Sequence, residues 1–201
     1  LTGTSSFGTT IAPDFTSGTC INLYNSLGYK IKNLVLQAPP NATGLVGIYC
    51  RIGAFKGFID TFQILDFNIA IQVDTNINDL LISNGIIESS LNNNFGIRIS
   101  ADSPAYQPPG KDPWQQRIDI IQIRSVTINQ GEQGPNNTVI PFGTGIYAGQ
   151  GLNTLRLDNV GLINNIYGLV ATAPNPATIA GPYFIFANDL EIDFSQAQNI
   201  Y

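Results

Sequence analysis

Carboxyl groups that could cleave a glycosidic bond recur along this sequence, each just before a short apolar segment. Asp60, Asp79 and Asp119 hold this position in three successive parts of the chain. Hydrolysis of a glycosidic bond uses two carboxyl groups, about 5–5.5 Å apart for retention and about 6.5–9.5 Å apart for inversion. Asp79 and Asp119 are the candidate catalytic pair, with Glu88 or Asp102 as further candidates, because Asp119 is nearest to an aromatic segment. The alternative is that these carboxylates are solvated groups at strand edges.

That aromatic segment, residues 100–117, reads SADSPAYQPPGKDPWQQR and contains the only tryptophan of the chain. Trp114 and Tyr106 offer ring faces for the apolar side of a sugar, and Arg117 offers donors for its hydroxyl groups. A second long connection spans residues 129–144. Long connections in a compact fold are usually functional or disordered, and the residue types of the first predict a sugar-binding surface. The alternative is that Trp114 only holds a proline-rich loop against the protein.

Missing residue types exclude several kinds of chemistry. The chain contains no histidine, which excludes Ser-His-Asp triads, Cys-His pairs and histidine-ligated zinc. Two cysteines are too few for a structural zinc site, so we expect neither a metal nor a cofactor. A net charge of −5 argues against a nucleic-acid or anionic-membrane partner, because both need a basic surface. No apolar run reaches the roughly 18 residues of a membrane span, and we expect no signal peptide.

The composition favours strands and turns over helices. Only 11% of the 201 residues are charged, and the chain has 28 Ile, 21 Asn, 20 Gly and 12 Pro, whereas about a quarter of residues are usually charged. β-branched residues with Asn, Gly and Pro between them are typical of many short strands joined by turns. The length is that of one ordinary domain. We therefore predict a single all-β domain over residues 1–201.

Six short segments repeat one pattern: a small residue, an aliphatic residue, a variable residue, and a small or aliphatic residue. The segments are Cys20-Ile21-Asn22-Leu23, Gly47-Ile48-Tyr49-Cys50, Ala70-Ile71-Gln72-Val73, Gly96-Ile97-Arg98-Ile99, Gly145-Ile146-Tyr147-Ala148 and Gly168-Leu169-Val170-Ala171. Their first residues lie 27, 23, 26, 49 and 23 positions apart, so the fourth unit contains both long connections. Self-similarity at such a period is typical of a solenoid.

A second repeat lies between the members of the first and ends in a polar residue. Its members are Ile31-Lys32-Asn33, Ile64-Leu65-Asp66, Ile82-Ser83-Asn84, Ile123-Arg124-Ser125, Leu157-Asp158-Asn159 and Phe186-Ala187-Asn188. Each has a bulky apolar residue two places earlier and a short apolar stretch after it. Asparagine tolerates the left-handed conformation that a tight corner needs, and its amide can hydrogen-bond to a neighbour one coil away.

Together the two repeats predict a single-stranded right-handed parallel β-helix of about six coils with an asparagine ladder. Strands of successive coils would stack at about 4.8 Å. Residues 1–19 would form an N-terminal cap, and residues 100–117 and 129–144 would be insertions. The alternative is an antiparallel sandwich of short strands, which also alternates every 8–12 residues or so but predicts no polar residue at a fixed phase.

The first coil begins with Leu1-Thr2-Gly3-Thr4 and Gly8-Thr9-Thr10-Ile11, followed by Cys20-Ile21-Asn22-Leu23 and Ile31-Lys32-Asn33-Leu34. This opening resembles that of pectin-lyase-like β-helix domains, most of all those of phage and viral tailspike proteins, and the resemblance extends over essentially the whole chain. It implies a homotrimer and leaves the activity open, because this fold hosts lyases, hydrolases and inert fibres alike. The histidine segment of its polygalacturonases and the dense acidic cluster of its pectate lyases are absent, so an enzyme here would be a glycosidase.

Alternation along each strand predicts which side chains point outward. In the first repeat the outward residues are Asn22, Tyr49, Gln72, Arg98, Tyr147 and Val170. We expect Tyr49, Tyr147 and Arg98 to belong to the sugar-binding surface. In the second repeat the outward pairs are Lys30/Lys32, Gln63/Leu65, Leu81/Ser83, Gln122/Arg124, Arg156/Asp158 and Ile185/Ala187.

Two further expectations follow from these outward positions. Arg124 and Asp158 would be neighbours on successive coils and form an ion pair worth under about 1 kcal/mol. The aliphatic residues Leu65, Leu81 and Ile185 would break the polar rule on the same face. Outward apolar residues usually mark contact with another chain, so we expect a homo-oligomer, and the resemblance to tailspike proteins implies that it is a trimer. The alternative is that loops of the same chain cover them.

The cysteines are predicted to be buried and free. Cys50 would point inward between Leu23 and Val73, with Cys20 three places out of phase on the neighbouring coil. Their Cα atoms would then be roughly 11 Å apart, beyond the reach of a disulfide. Free thiols are compatible with assembly in a reducing cytoplasm.

Three functions remain open on the sequence. The first is a viral or phage tailspike or fibre module that binds host-surface polysaccharide during attachment and lies on the virion or another extracellular surface. The second, from another class, is a glycan-degrading depolymerase that uses Asp79 and Asp119. The third is a structural spacer that presents other domains. An aromatic groove without paired acids favours the first, paired acids in a groove favour the second, and a smooth face favours the third.

Overall fold

The computed structural model of the chain describes residues 9–89, 94–101, 117–133, 139–141, 143–149, 151–172 and 184–193. Within these ranges the protein is all-β, and no helix there is of the length and hydropathy that a bilayer crossing requires. The strands are β1 (Thr9–Ile11), β2 (Ser17–Tyr24), β3 (Lys30–Gln37), β4 (Gly44–Arg51), β5 (Phe55–Leu65), β6 (Ile69–Val73), β7 (Asn78–Glu88), β8 (Phe95–Ile99), β9 (Ile121–Asn129), β10 (Gly131–Gln133), β11 (Val139–Pro141), β12 (Thr144–Ala148), β13 (Thr154–Ile163), β14 (Tyr167–Ala171) and β15 (Phe184–Asp193).

Thirteen of these strands form two parallel sheets that the chain visits in alternation. The seven-stranded sheet has the order β1-β3-β5-β7-β9-β13-β15, and the six-stranded sheet has the order β14-β12-β8-β6-β4-β2. The short strands β10 and β11 pair antiparallel with each other, and they lie inside the connection predicted at residues 129–144. The antiparallel sandwich is therefore wrong, because all strand pairs within the two main sheets are parallel.

The register of the six-stranded sheet is the one that the first repeat predicts. The aliphatic residue of each segment stands opposite that of the next, in the order Ile21, Ile48, Ile71, Ile97, Ile146 and Leu169. The small residue before it has a steric cause. A Cβ atom added to Gly96 would lie 2.6 Å from the carbonyl oxygen of Gly145 in the next strand, closer than real Cβ contacts, so a bulky residue is excluded there.

The long strands of the seven-stranded sheet turn a corner at a residue with positive φ, and β5 and β7 have a second such residue near their start, Lys56 and Asp79. Within β5 the buried residues are Gly57, Ile59, Phe62 and Ile64, so the inward phase shifts by one at Thr61. Thr61 has φ 53°, and the strand pairing skips it. Each long strand thus has a first arm before the corner and a second arm after it. The corner residues, which occupy matching register positions, are Asn33, Thr61, Asn84, Ser125, Asn159 and Asp189.

Two members of the second repeat are misplaced by the sequence reading. The corner of β5 is Thr61 rather than Asp66, and that of β15 is Asp189 rather than Asn188. Asp66 also has positive φ, 60°, but it follows the end of β5, so an Ile-x-Asp pattern occurs at a different bend. The outward pairs on the first arms are consequently Phe58/Asp60 and Phe186/Asn188, not Gln63/Leu65 and Ile185/Ala187.

Side chains at and beside the corners connect adjacent strands. The Asn159 amide donates to Ser125 Oγ at 3.3 Å, and the Asn84 amide donates to Asp60 Oδ1 at 2.8 Å. Arg124 Nε lies 3.0 Å from Asp158 Oδ2, which confirms the predicted ion pair. The expected asparagine ladder is therefore a mixed row of Asn, Thr, Ser and Asp, because each of these residues has a short polar side chain that can bond locally.

The core lies between the two sheets and is dominated by isoleucine and leucine. Cys50 is fully buried opposite Leu23 and Val73, as predicted, and both cysteines are free. The expectation that Cys20 is buried is wrong, since its side chain is only half-buried. The reason is its place on β2, which is the last strand of the six-stranded sheet and has no further strand beside it.

Candidate functional site

The outward side of the six-stranded sheet carries a cluster of aromatic and arginine side chains, which we call the aromatic face. Its members are Tyr24, Tyr49, Arg51, Phe95, Arg98, Tyr147 and Tyr167. The predicted outward row is confirmed, because Tyr49 stands opposite Gln72, Gln72 opposite Arg98, and Arg98 opposite Tyr147. Three of the expected sugar-binding residues, Tyr49, Arg98 and Tyr147, therefore lie on one face.

One half of the aromatic face is built around Arg98. The rings of Phe95 and Tyr147 meet edge to face, with centroids 5.7 Å apart and an interplanar angle of 73°. The guanidinium carbon of Arg98 lies 6.0 Å from the Phe95 centroid and 5.8 Å from that of Tyr147. A guanidinium at this distance from an aromatic face is attracted by the ring quadrupole. The three side chains therefore hold one another in place on otherwise flat strands.

A cleft opens between these rings and the next strand. It has a volume of about 350 Å³ and is lined by Phe95, Thr144, Tyr147, Tyr167 and Val170. Tyr167 is 40% exposed at its rim. The lining is mostly apolar, with the phenol and hydroxyl groups at its edges, and such a mixture suits a ligand with one apolar surface and several polar substituents.

The other half of the aromatic face is built around Arg51. Its guanidinium carbon lies 5.3 Å from the Tyr24 centroid and 5.5 Å from the Tyr49 centroid, and its Nε donates to Asn22 Oδ1 at 3.1 Å. The Tyr49 hydroxyl donates to Asp74 Oδ2 at 2.5 Å. This half therefore repeats the arrangement of an arginine between two rings.

Sequence reasoning missed Phe95, Tyr167, Tyr24 and Arg51. Phe95 and Tyr167 directly precede the small residues Gly96 and Gly168. Opposite Phe95 in the neighbouring strands stand Ile69 and Thr144. The strand pairing skips Gly96 and Gly145, and Gly96 faces the buried Ile128, so the in-and-out alternation is interrupted between Phe95 and Ile97. Alternation counted back from Arg98 would place Phe95 inward, and for this reason it does not find this row.

The two predicted catalytic carboxylates have different surroundings. Asp119 Oδ1 lies 2.6 Å from Arg117 Nε and accepts a hydrogen bond from the Asn153 amide at 3.4 Å. Asp79 is exposed, has φ 56°, and lines a groove with three lysines in which Asp119 takes no part. Catalysis by Asp79 and Asp119 stays a prediction.

The remaining expected sugar-binding residues are divided. Arg117 forms an ion pair with Asp119. The residue between them, Ile118, bridges to Ile77 and Leu152. Arg117 is therefore not part of the aromatic face. Trp114 and Tyr106, like Asp102, lie outside the described residues. Over the described part of the chain, no three His, Cys, Asp or Glu side chains come together as a metal site would require.

Comparison with known proteins finds no match for this chain among protein-family models, curated proteins or solved structures.

Proposed function

We propose that the chain is a right-handed parallel β-helix of six coils that binds a polysaccharide on a host-cell surface, as part of a viral or phage attachment fibre. The coil proposal is supported by the path of the chain, which alternates between two parallel sheets and turns one corner in each long strand. It accounts for a repeat in which neighbouring units contact each other along one axis. The location on a virion and the assembly in a reducing cytoplasm belong to the same proposal.

The observation that carries the binding function is the cleft beside Phe95, Tyr147 and Arg98. A sugar ring has apolar C–H groups on one face and hydroxyl groups around its edge. The aromatic rings can contact the C–H face, while the Arg98 guanidinium and the Thr144 hydroxyl can bond the hydroxyl groups. A volume of about 350 Å³ lies within the usual range for ligand sites. Both rings stand on rigid strands, so little ordering is needed on binding.

A glycan array with matched variants tests this proposal. Tyr147→Ala should weaken binding of any glycan that the wild-type protein retains by about tenfold, the effect of removing a central aromatic contact. Phe15→Ala is the matched control, because Phe15 is 40% exposed but precedes β2 and does not line the cleft. No retained glycan, or equal loss with both variants, would contradict the proposal. Mass analysis of each bound glycan after incubation tests the depolymerase alternative.

We extend the proposal to a homotrimer. Phe184 and Phe186 on β15 are 48% and 57% exposed, and their rings stack with centroids 6.4 Å apart. Exposed apolar pairs of this kind usually contact another chain. They replace Leu65 and Ile185 of the predicted set Leu65, Leu81 and Ile185, while Leu81 lies three strands away on β7 and is not part of this patch. Sedimentation equilibrium of the wild-type protein and of Phe184→Ser/Phe186→Ser measures the oligomer, and a monomeric wild-type protein would overturn this extension.

A further inference from the structure

Three of the four lysines of this acidic chain meet in one groove on the first-arm side of the seven-stranded sheet. Lys30 stands opposite Phe58 and Lys32 stands opposite Asp60 in the strand pairing of β3 with β5. Lys56 precedes them at the start of β5. We call this the lysine groove; it has a volume of about 480 Å³.

The three lysines of the groove differ in their contacts with the rest of the protein. Lys32 Nζ lies 3.5 Å from Asp60 Oδ2 and 4.7 Å from the centroid of the Phe58 ring. Lys30 and Lys56 are exposed, and neither forms an ion pair within the described ranges. Two exposed lysines thus line the same groove in a chain whose net charge is −5.

Asp60 already forms hydrogen bonds and an ion pair with its own neighbours. Its Oδ1 accepts hydrogen bonds from Ser83 Oγ and the Asn84 amide, both at 2.8 Å. Burial alone would raise the pKa of Asp60, but these two hydrogen bonds and the Lys32 ammonium outweigh it, so the pKa lies below its usual range. Asp60 therefore stays ionised at neutral pH and balances Lys32. Among the residues that line the groove, Asp79 is the one carboxylate. Three lysines set against Asp60 and Asp79 leave one positive charge in excess.

The walls of the groove combine this charge with apolar surface. The ring of Phe58 and the side chain of Leu81 form one side, and the Gln122 amide lies at the far end. Lys56 has φ 54°, a left-handed conformation that is uncommon for lysine. Asp79 occupies the matching register position in β7 and has φ 56°, so the two residues form a repeated bend that sets the end of the groove. The groove thus offers point charges, a ring face and an amide within one site.

We propose that the lysine groove binds the anionic group of an acidic glycan, a carboxylate or a sulfate, with its sugar ring against Phe58 and Leu81. Only the choice of a glycan as the carrier of the anion rests on the function proposed above. Ammonium groups attract such anions as point charges, and a concave site concentrates their field. The lysine groove and the aromatic face lie on different sheets. Binding at each site can therefore be tested independently of the other.

Titration calorimetry with four probes tests the groove. The probes are oligogalacturonate, a sulfated heparin-type oligosaccharide, a neutral dextran oligosaccharide and inorganic phosphate. We expect the two acidic oligosaccharides to bind and added salt to weaken them, because salt screens exposed charges. The variant Lys30→Gln/Lys56→Asn should bind them about tenfold more weakly, as expected for two lost charged contacts. Asparagine is chosen at position 56 because it accepts the left-handed backbone.

Two control variants separate this inference from the proposed function. Arg156→Gln removes an exposed cation from the same side of the sheet, outside the groove lining, and should bind the acidic probes like the wild-type protein. Tyr147→Ala removes the aromatic cleft and should also leave their binding unchanged. The lysine variant and Arg156→Gln should unfold at the wild-type temperature, since the altered side chains are exposed.

Several results would overturn the inference. These are no binding of either acidic oligosaccharide, equal binding of dextran, or an unchanged affinity in the lysine variant. Phosphate bound as tightly as the oligosaccharides would assign the groove to a free anion rather than to a glycan. Loss of acidic-glycan binding only in Tyr147→Ala would place that glycan on the aromatic face and leave the lysine groove without a ligand.

Discussion

The ring of Phe62 lies directly over the Cα atom of Gly85, its neighbour across the pairing of β5 with β7. Phe62 is 1% exposed and is among the largest fully buried side chains. Any Cβ atom on residue 85 would overlap this ring. The corner of β7 is therefore specified by a large residue on one strand and the smallest residue on the next.

Gly85→Ala should destabilise the protein by about 1–3 kcal/mol, the usual effect of overfilling a packed core. Urea unfolding followed by circular dichroism measures this change. Gly161→Ala is the matched control, because an added Cβ there would meet its nearest atom at 3.7 Å, an ordinary contact. Equal stability of the two variants would show that the Phe62 ring moves freely aside.

Tyr49→Phe should destabilise the protein by about 1–3 kcal/mol. The hydroxyl of Tyr49 donates to Asp74, which is 2% exposed, and the other donor to that carboxylate is the backbone N–H of Thr75. Removing one donor leaves a buried anion poorly compensated. Thermal unfolding measures the effect, and Tyr147→Phe, on the same face but away from Asp74, should change stability little. A wild-type melting temperature for Tyr49→Phe would refute the role of this hydrogen bond.

Native protein should react with iodoacetamide at Cys20 alone. Cys50 is fully buried, and burial raises the pKa of its thiol to about 12, although the hydrogen bond from the Tyr29 hydroxyl lowers it in part. Burial also raises the pKa of Cys20, but that side chain is half-exposed. Thiolate and access are both needed for the reaction. Mass spectrometry should find one label before unfolding and two after it.

The cysteine variants check this assignment. Cys20→Ser should remove labelling of the native protein, and Cys50→Ser should leave it unchanged. Labelling at Cys50 in the folded protein would mean that the space between the sheets opens on the time scale of the reaction.

Asp60→Asn should lower stability at neutral pH by about 1 kcal/mol and reduce the loss of stability in acid. The pKa of Asp60 is lowered in the folded state: burial opposes this, but Asn84, Ser83 and Lys32 prevail. A lowered pKa stabilises the fold above the unfolded-state value, near 4, and this contribution disappears as the pH falls through the folded-state value.

Thermal unfolding at a series of pH values measures the effect of Asp60→Asn. Asp158→Asn serves as the control. Asp158 pairs with Arg124 in the same row, but its side chain is 43% exposed, so the surrounding solvent weakens this ion pair. An acid limb identical in wild-type and Asp60→Asn protein would contradict the prediction.

The sequence predicts the six-stranded sheet better than the seven-stranded one for a steric reason. At Gly47, Gly96 and Gly145 a carbonyl of the next strand leaves no room for a large side chain, so residue type reports the position directly. A corner needs only a residue that accepts positive φ. Thr61 and Asp189 satisfy that need without being asparagine, while Asp66 satisfies it at another bend.

The same difference decides which parts of the two sites could be foreseen. Tyr49, Arg98 and Tyr147 follow from simple alternation within correctly aligned strands. The lysine groove depends on Lys30 standing opposite Phe58, and the misassigned register of β5 conceals that neighbour. The contact of Phe62 with Gly85 is missed because of the same misassigned register. The sequence of either strand alone does not indicate which residues stand opposite each other.

Along β4, the buried Ile48 and Cys50 alternate with the outward Tyr49 and Arg51. Arg51 therefore occupies a site that the interior does not constrain, whereas Tyr49 is tied to the buried Asp74 through its hydroxyl. Outward side chains that bond no buried group can change by single substitutions that do not require compensating changes inside. At such positions the aromatic face is a surface that selection, or an engineer, can alter one residue at a time while the scaffold keeps its stability.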